Sequence, residues 1–339
     1  MKKLIFYIHI NSYYIYINMS MNKKIVQMLS AMSAYTAKDG NHFKSRAYDR
    51  EKDKIMLFDK EIKSKDDLKS IKLGKSAKKT ILEFIDTGNV AYLEKAKVNP
   101  KYHFADVYGI GPKKAEELVS KNNVKSISEL RARQDELLND VQKKGLKYYE
   151  DVLKRIPRRE IISYEKKMNK IFDGLNSDNK ASMTIVGSYR RGAKDSGDID
   201  VIITSIKKDT TIFKEFLDAM GENILKEYLS RGNKKSLTIG KINKKPARRL
   251  DFMFTSLEEW PFAILYFTGS KLFNTLMRAR ANDMNLTMNE HGLYHFKNKK
   301  KGDKINVKFK TEKDIFDYLG IQYVEPEKRN EYKNFKLLN

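Results

Sequence analysis

Residues 187–201 read Gly-Ser-Tyr-Arg-Arg-Gly-Ala-Lys-Asp-Ser-Gly-Asp-Ile-Asp-Val, and this stretch constrains the chain more than any other. The apolar, β-branched run that starts within it, residues 199–204, predicts a strand. Asp198 and Asp200 are two apart there, so their carboxylates project from the same face. Two ionised carboxylates side by side repel, and a cation between them lets both keep their charge. Oxygen-only ligands favour Mg²⁺. Residues 250–254 predict another strand, and Asp251 on it can complete a three-carboxylate cradle. Such a cradle suits two-metal phosphoryl transfer, in which one ion activates a hydroxyl and the other clamps a triphosphate. Gly187-Ser188 ends a strand at 183–186 and opens a helical turn, whose N–H groups, with Ser188 and Arg191, suit phosphate oxygens.

The remaining chain sets the context. Of 339 residues 40% are hydrophobic, enough for several cores. Lys and Arg number 68 against 44 Asp and Glu, a net charge of +24, which points to a polyanionic partner. With no cysteine, disulfides, thiolate zinc sites and cysteine nucleophiles are excluded, and a reducing, intracellular setting fits. His291 and His295 have HxxxH spacing but flank a turn-like Gly292, so structural zinc is not expected. Residues 1–18 carry two lysines ahead of an apolar Tyr/Ile-rich stretch broken by His9, Asn11 and Ser12. They are too polar to span a bilayer, and residues 1–20 are expected to be a disordered or spurious leader before a start at Met19 or Met21.

Residues 23–95 show a basic, helical pattern with apolar spacing of three to four (Ile25, Met28, Leu29, Met32). A second helical block over 100–155 contains the turn Gly109-Ile110-Gly111-Pro112. On the residues alone that turn is equally a plain connection between two helices or a turn that brings backbone close to a phosphate. Beyond Pro157 strands alternate with helices, predicting an α/β sheet domain and then a small α/β module. Residues 297–301 form the one low-complexity segment, a lysine run.

The stretches VGSYRRGAKDSGDIDVIIT, RRLDF, LYFTGSKLFNTLMRA, GIGPKKAEEL, LKRIPR and TEKDIFDYLGIQYVEPEKR together resemble the family X DNA polymerases, of the beta type, over residues 21–339. The resemblance implies helical helix-hairpin-helix domains, lyase-like over 21–96 and duplex-binding over 97–156. An α/β nucleotidyltransferase palm over 157–255 and a small α/β nucleotide-selection domain over 256–339 would follow. It implies a template-directed, Mg²⁺-dependent DNA polymerase that fills short gaps in repair, with gapped or nicked double-stranded DNA and dNTPs as partners, no membrane, and a monomer. The compartment would be the nucleus or a cytoplasmic viral replication site. The rival readings are an untemplated terminal nucleotidyltransferase and a non-catalytic DNA end-binding protein.

By the same resemblance Asp198 and Asp200 would bind both Mg²⁺ ions, and Asp251 would bind one and accept the primer hydroxyl proton. Arg155, Ser188 and Arg191 would contact the triphosphate, with Gly197 close by, and Arg249 would approach the primer backbone. Tyr266, Phe267 and Gly269 match the segment under the sugar, although on spacing alone the two rings read as helix core. Asn274 and Arg278 match residues that test the minor-groove side of the new pair, where acceptors are nearly alike for every Watson–Crick pair. Gly109 and Gly111 would approach the DNA, and carbonyls of Ala105, Val107 and Ile110 would hold Na⁺ or K⁺. Lys44, Tyr48 and Lys69 keep the spacing of a 5′-phosphate pocket.

The sequence departs from the family in four places. Where the family has a Schiff-base lysine this chain has Thr80, with Lys78 and Lys79 the nearest candidates for lyase chemistry. Met253 stands where an arginine usually competes for the aspartates, and Lys271 replaces a residue over the incoming base. The first hairpin is reduced to Leu73-Gly74.

Overall fold

The computed structural model describes residues 19–178, 180–207, 209–298 and 300–338, so most of the expected leader lies outside the described residues. The chain forms two compact units that divide between Leu146 and Lys147.

The first unit is helical: α1 (Met21–Lys38), α2 (His42–Met56), α3 (Lys75–Thr87), α4 (Ala91–Val98), α5 (Pro100–Phe104), α6 (Pro112–Ser120), α7 (Ile127–Ala132), α8 (Gln134–Leu137) and α9 (Asp140–Lys147). Ile25, Met28, Leu29 and Met32 line one side of α1 and bury against Tyr48, Ile81 and Phe84. Helix α3 stops where the sequence supplies Gly88, which takes φ +72° and returns its N–H to the Phe84 carbonyl. The turn between α5 and α6 also depends on glycine. Gly109 has φ +85°, and Pro112 fills the first position of α6, where its missing N–H costs nothing. Gln142 of α9 donates its side-chain amide to the Gly109 carbonyl at 3.0 Å.

The second unit begins with α10 (Tyr149–Val152), β1 (Ile156–Pro157) and α11 (Arg158–Leu175), followed by β2 (Ala181–Ile185) and the short α12 (Gly187–Arg190). Then come β3 (Asp195–Ser196), β4 (Ile199–Ser205), α13 (Thr211–Asn223), β5 (Leu225–Arg231), β6 (Lys235–Gly240) and β7 (Arg248–Ser256). Its main sheet has the order β2-β4-β7-β6-β5. Strands β4 and β7 are parallel, in a register that sets Asp200 directly beside Asp251. The run Val201-Ile202-Ile203 is buried throughout, as expected of a strand covered on both faces. On one face Tyr164, Phe172, Phe213 and Phe216 from α11 and α13 meet Phe252 and Phe254 of β7. A buried ion pair between Arg248 and Glu160 (2.7 and 3.0 Å) anchors the start of β7 to α11.

The unit closes with α14 (Trp260–Thr268), α15 (Lys271–Asp283), the antiparallel sheet β8 (Leu286–Asn289), β9 (Gly292–Lys297) and β10 (Lys300–Lys304), and α16 (Glu312–Tyr318). The last helix starts with a reciprocal cap between Thr311 and Asp314. Among the described residues no helix is long and apolar enough to cross a membrane.

Close backbone approach makes one testable demand. A Cβ added at Gly145 would lie 2.2 Å from the Tyr108 carbonyl oxygen, a main-chain atom that cannot swing aside. Gly145→Ala should destabilise the first unit by roughly 2 kcal/mol, a typical overpacking cost, read as a lowered urea midpoint with unchanged far-ultraviolet dichroism in buffer.

Candidate active site

The adjoining interior strands β4 and β7 bring together the three sequence-predicted carboxylates. Ligand oxygens from Asp198, Asp200 and Asp251 all lie within 4.8 Å of one another. Register explains two of them, since Asp200 and Asp251 are neighbours across the β4–β7 ladder. Asp198 stands just before β4 and points the same way by strand alternation. Burial and the two like charges push the Asp200 carboxyl up to about 7. Burial also raises Asp251, against the opposing pull of Arg249.

Arg249 lies across this cluster. Its guanidinium donates to Asp198 at 2.6 Å and to Asp251 at 3.0 and 3.2 Å. The residue expected near a primer backbone therefore supplies positive charge inside the cradle. Lys235 adds to it, helping to hold down both Asp200 and Asp251. A guanidinium seated among three oxygen donors shows that the position favours cations, and the all-oxygen donor set fits Mg²⁺.

The turn after β2 is shaped by the carboxylates beneath it. Gly187 has φ +63°, and a Cβ there would fall 2.7 Å from the Asp200 Oδ2, so no other residue fits without displacing the carboxylate. Ser188 donates its hydroxyl to Ser196 at 2.7 Å. Arg191 donates to the Thr268 carbonyl at 2.6 Å and to Asn330 at 2.8 Å, and Gly269 lies against its guanidinium. Arg155 is held by Asp195 at 2.6 and 2.8 Å and passes beside Gly197. Ser188 follows Gly187, which touches Asp200, and Gly197 precedes Asp198; Arg191 lies close enough to Asp200 to feel its charge, Gly269 lies against Arg191, and Arg155 stands beside Gly197.

Tyr266 and Phe267 form an edge-to-face pair with centroids 5.0 Å apart. Phe267 and Met253 line a cleft that reaches Asp200, Asp251 and Lys235. Tyr266 lines a neighbouring cleft with Asn274, Arg278 and Asn289. Asn274 donates to the Tyr266 carbonyl at 2.7 Å, while its side-chain oxygen is buried without a partner.

Sequence reasoning missed the support of this site. Glu312 at the start of α16 receives Arg190 at 2.6 and 3.1 Å and the fully buried Arg329 at 2.6 Å. Arg190 also donates to the Thr268 hydroxyl at 2.7 Å. The signal was present, because adjacent arginines on a helical turn point about 100° apart. Only one of Arg190 and Arg191 can face the site, and the other needs a partner elsewhere.

In the first unit Lys44 lies near Tyr48, its ammonium 6.0 Å from the ring centroid, while Lys69 pairs with Asp66 on the surface. Thr80 is buried, within 3.2 Å of the Tyr48 hydroxyl. Lys79 is exposed and Lys78 half-buried. Neither lysine takes the inward position that Thr80 fills. The Ile110 N–H bonds to the Val107 carbonyl at 3.0 Å, so Val107, unlike a free ligand, already accepts one hydrogen bond.

A carboxylate triad on two parallel interior strands under a glycine-serine turn, followed by a small helix–sheet module, is the plan of a nucleotide-polymerising palm and thumb. Residues 155–256 match the family model of the DNA polymerase beta palm, and 263–330 that of the DNA polymerase beta thumb. Residues 103–153 match the fingers domain of DNA polymerase lambda. The chain is similar to DNA polymerase lambda of Arabidopsis thaliana, 28% identical with 91% of this chain and 62% of the relative aligned. It is also similar to DNA polymerase lambda of Rattus norvegicus, 27% identical with 91% and 56% aligned, and to DNA nucleotidylexotransferase of Xenopus laevis, 26% identical with 76% and 58% aligned. The matched length is thus about three fifths of these relatives. The chain belongs to the family X DNA polymerases.

The raised Asp200 carboxyl gives a signed prediction. Its charge is disfavoured in the fold, so the metal-free protein loses stability as pH rises from the ordinary carboxylate value toward about 7. Asp200→Asn should raise the metal-free melting temperature by roughly 4–8 °C at pH 8 and by less at pH 5, measured by calorimetry with a chelator present.

Proposed function

We propose that the chain is a template-directed, Mg²⁺-dependent DNA polymerase that fills short gaps in DNA repair. The observation that carries this reading is the triad of Asp198, Asp200 and Asp251 beneath the Gly187-Ser188 turn, with Arg191 close enough to feel the Asp200 charge. A role confined to holding DNA ends gives no reason to concentrate three like charges in a basic chain. Asp198 and Asp200 would hold two Mg²⁺ ions and Asp251 one of them. When bound, the ions lower the pKa of the attacking hydroxyl and neutralise the triphosphate. Ser188 and Arg191 orient the phosphates, and Arg155 bounds the same side. Asp251, its carboxyl drawn upward by burial, takes the proton as the primer 3′-oxygen attacks the α-phosphorus and pyrophosphate leaves. Arg249 must leave the carboxylates before the ions enter, which frees it for the primer backbone.

Template dependence rests on the palm. An untemplated enzyme of this type carries an inserted loop over the template, whereas here the β5–β6 connection is only residues 232–234. The four-domain division given above, with the Gly109–Gly111 turn as a helix-hairpin-helix contact to DNA and a Na⁺ or K⁺ on the Ala105, Val107 and Ile110 carbonyls, belongs to the same reading. So do gapped or nicked DNA as substrate, the monomeric state, and an intracellular setting, nuclear or at a cytoplasmic viral replication site. Lys44, Tyr48 and Lys69 then serve a downstream 5′-phosphate.

Asp251→Ala should abolish primer extension on gapped DNA, by at least about 10³-fold, while DNA affinity in a filter-binding or anisotropy assay stays near wild type. Normal turnover in this variant would remove Asp251 from the chemistry. Extension of a lone single-stranded primer at the rate seen on a gap would favour the untemplated reading.

Lyase chemistry is absent from this proposal. A Schiff base needs an unprotonated amine beside the abasic sugar, and Thr80 offers none. Borohydride should trap no more adduct on an incised abasic end than it traps with bovine albumin. Efficient trapping lost in Lys79→Ala would restore a bifunctional enzyme.

A further inference from the structure

The lysine run at 297–301 has no part in the site described so far. In the fold Lys297 closes β9, and Lys300 and Lys301 open β10, an outer strand of the β8–β9–β10 sheet whose every residue is exposed. Strand alternation sorts the residues into two faces. Leu286, Met288 and Leu293 point inward to the core that also holds Ile305 and Phe309. Tyr294 and Phe296 lie on the opposite face, both half-exposed and about 6.6 Å apart along the strand. Cross-strand register puts Lys304 beside Tyr294 and Lys301 beside Phe296. Lys301 reaches diagonally so that its ammonium sits 3.4 Å from the Tyr294 ring centroid. The Lys304 chain lies over Gly292, where a Cβ would fall 2.6 Å from its Cε, so the missing side chain makes a seat for it. Among the described residues no ion pair engages Lys300, Lys301 or Lys304. With Lys300, Lys301 and Lys304 against the one carboxylate of β10, Asp303, this strand and its aromatic neighbours carry a net positive charge.

Its position adds a direction. Gly292 pairs with Asn289, and Asn289 lines the cleft that holds Tyr266, Asn274 and Arg278. One surface thus runs from the nucleotide-selecting cleft, across the hairpin, to the lysine strand.

We infer that the outer face of β8–β10 is a docking surface for single-stranded DNA, stacking unpaired bases on Tyr294 and Phe296 and seating phosphates on Lys301 and Lys304. Flat rings among lysines suit an unpaired strand, because a duplex offers phosphates but no free base faces. The stacked base takes the place that the Lys301 ammonium holds in the free protein, which releases that lysine to a phosphate. If the polymerase reading holds, the strand is the unpaired template ahead of the cleft.

The test uses the full chain, a labelled oligo-dT of roughly a dozen nucleotides, and a one-nucleotide gap with no longer single-stranded tract. A Lys300→Ala/Lys301→Ala/Lys304→Ala variant changes only exposed residues and should fold. It should lose about 10-fold in oligo-dT affinity, with the logarithmic salt slope reduced by about 2. Tyr294→Ala should lose about 5-fold or more, within the usual range for one stacked base, and Tyr294→Phe should restore it. Gap-filling turnover should stay at the wild-type value in all three. Unchanged oligo-dT affinity in both the lysine and the Tyr294→Ala variants would overturn the proposal. An equal loss on the gap would also overturn it, in favour of a general duplex contact. Because oligo-dT binding is read without chemistry, a wild-type chain that binds it but extends no primer would reject the polymerase reading alone.

Discussion

The second unit is organised around a repulsion. Three carboxylates meet at the end of two parallel strands, and two of them are adjacent partners in the ladder. The backbone ladder does not relieve that crowding, so side chains of the neighbouring strand positions supply positive charge. Arg249 bridges Asp198 and Asp251, and Lys235 approaches from β6. Asp200 has no such bond and retains the cost as a carboxyl held near neutrality. The fold thus stores an affinity for cations as local instability, and functional sites commonly carry such a cost.

Several elements then serve to keep that cluster fixed. Parallel pairing of β4 and β7 requires a crossover, which α13 and the β5–β6 hairpin provide. The Arg248–Glu160 pair ties β7 to α11 immediately before Arg249. Gly187 lets the turn settle onto Asp200, and Arg190 fastens the turn to Glu312, which also receives Arg329. Residues that touch the site and one that holds it share the same six-residue motif.

In the first unit the hydroxyl of Thr80 pairs with that of Tyr48 at 3.2 Å, and the Lys44 ammonium stands 6.0 Å from the Tyr48 ring. Helix α3 has no slack to present Lys79 instead, because Ala77, Ile81 and Phe84 fix its rotation in the core.

Local chemistry made the carboxylate cradle legible in the sequence. Asp198 and Asp200 had to share a face because a strand repeats every two residues, Gly187 had to turn, and the apolar spacing of α1 had to face a core. Gly88 and Pro112 marked helix ends for reasons internal to their own backbones. What the sequence could not state was register and long-range pairing. That Asp251 lies beside Asp200, that Arg249 closes on the carboxylates, and that Glu312 reaches Arg190 from 122 positions away follow from chain segments meeting in space. The lysine run read as low complexity until β9 placed Tyr294 and Phe296 on its face. Periodicity fixes which side of its own strand or helix a residue occupies. Only tertiary packing decides what stands opposite, because that depends on a second segment whose position no local propensity encodes.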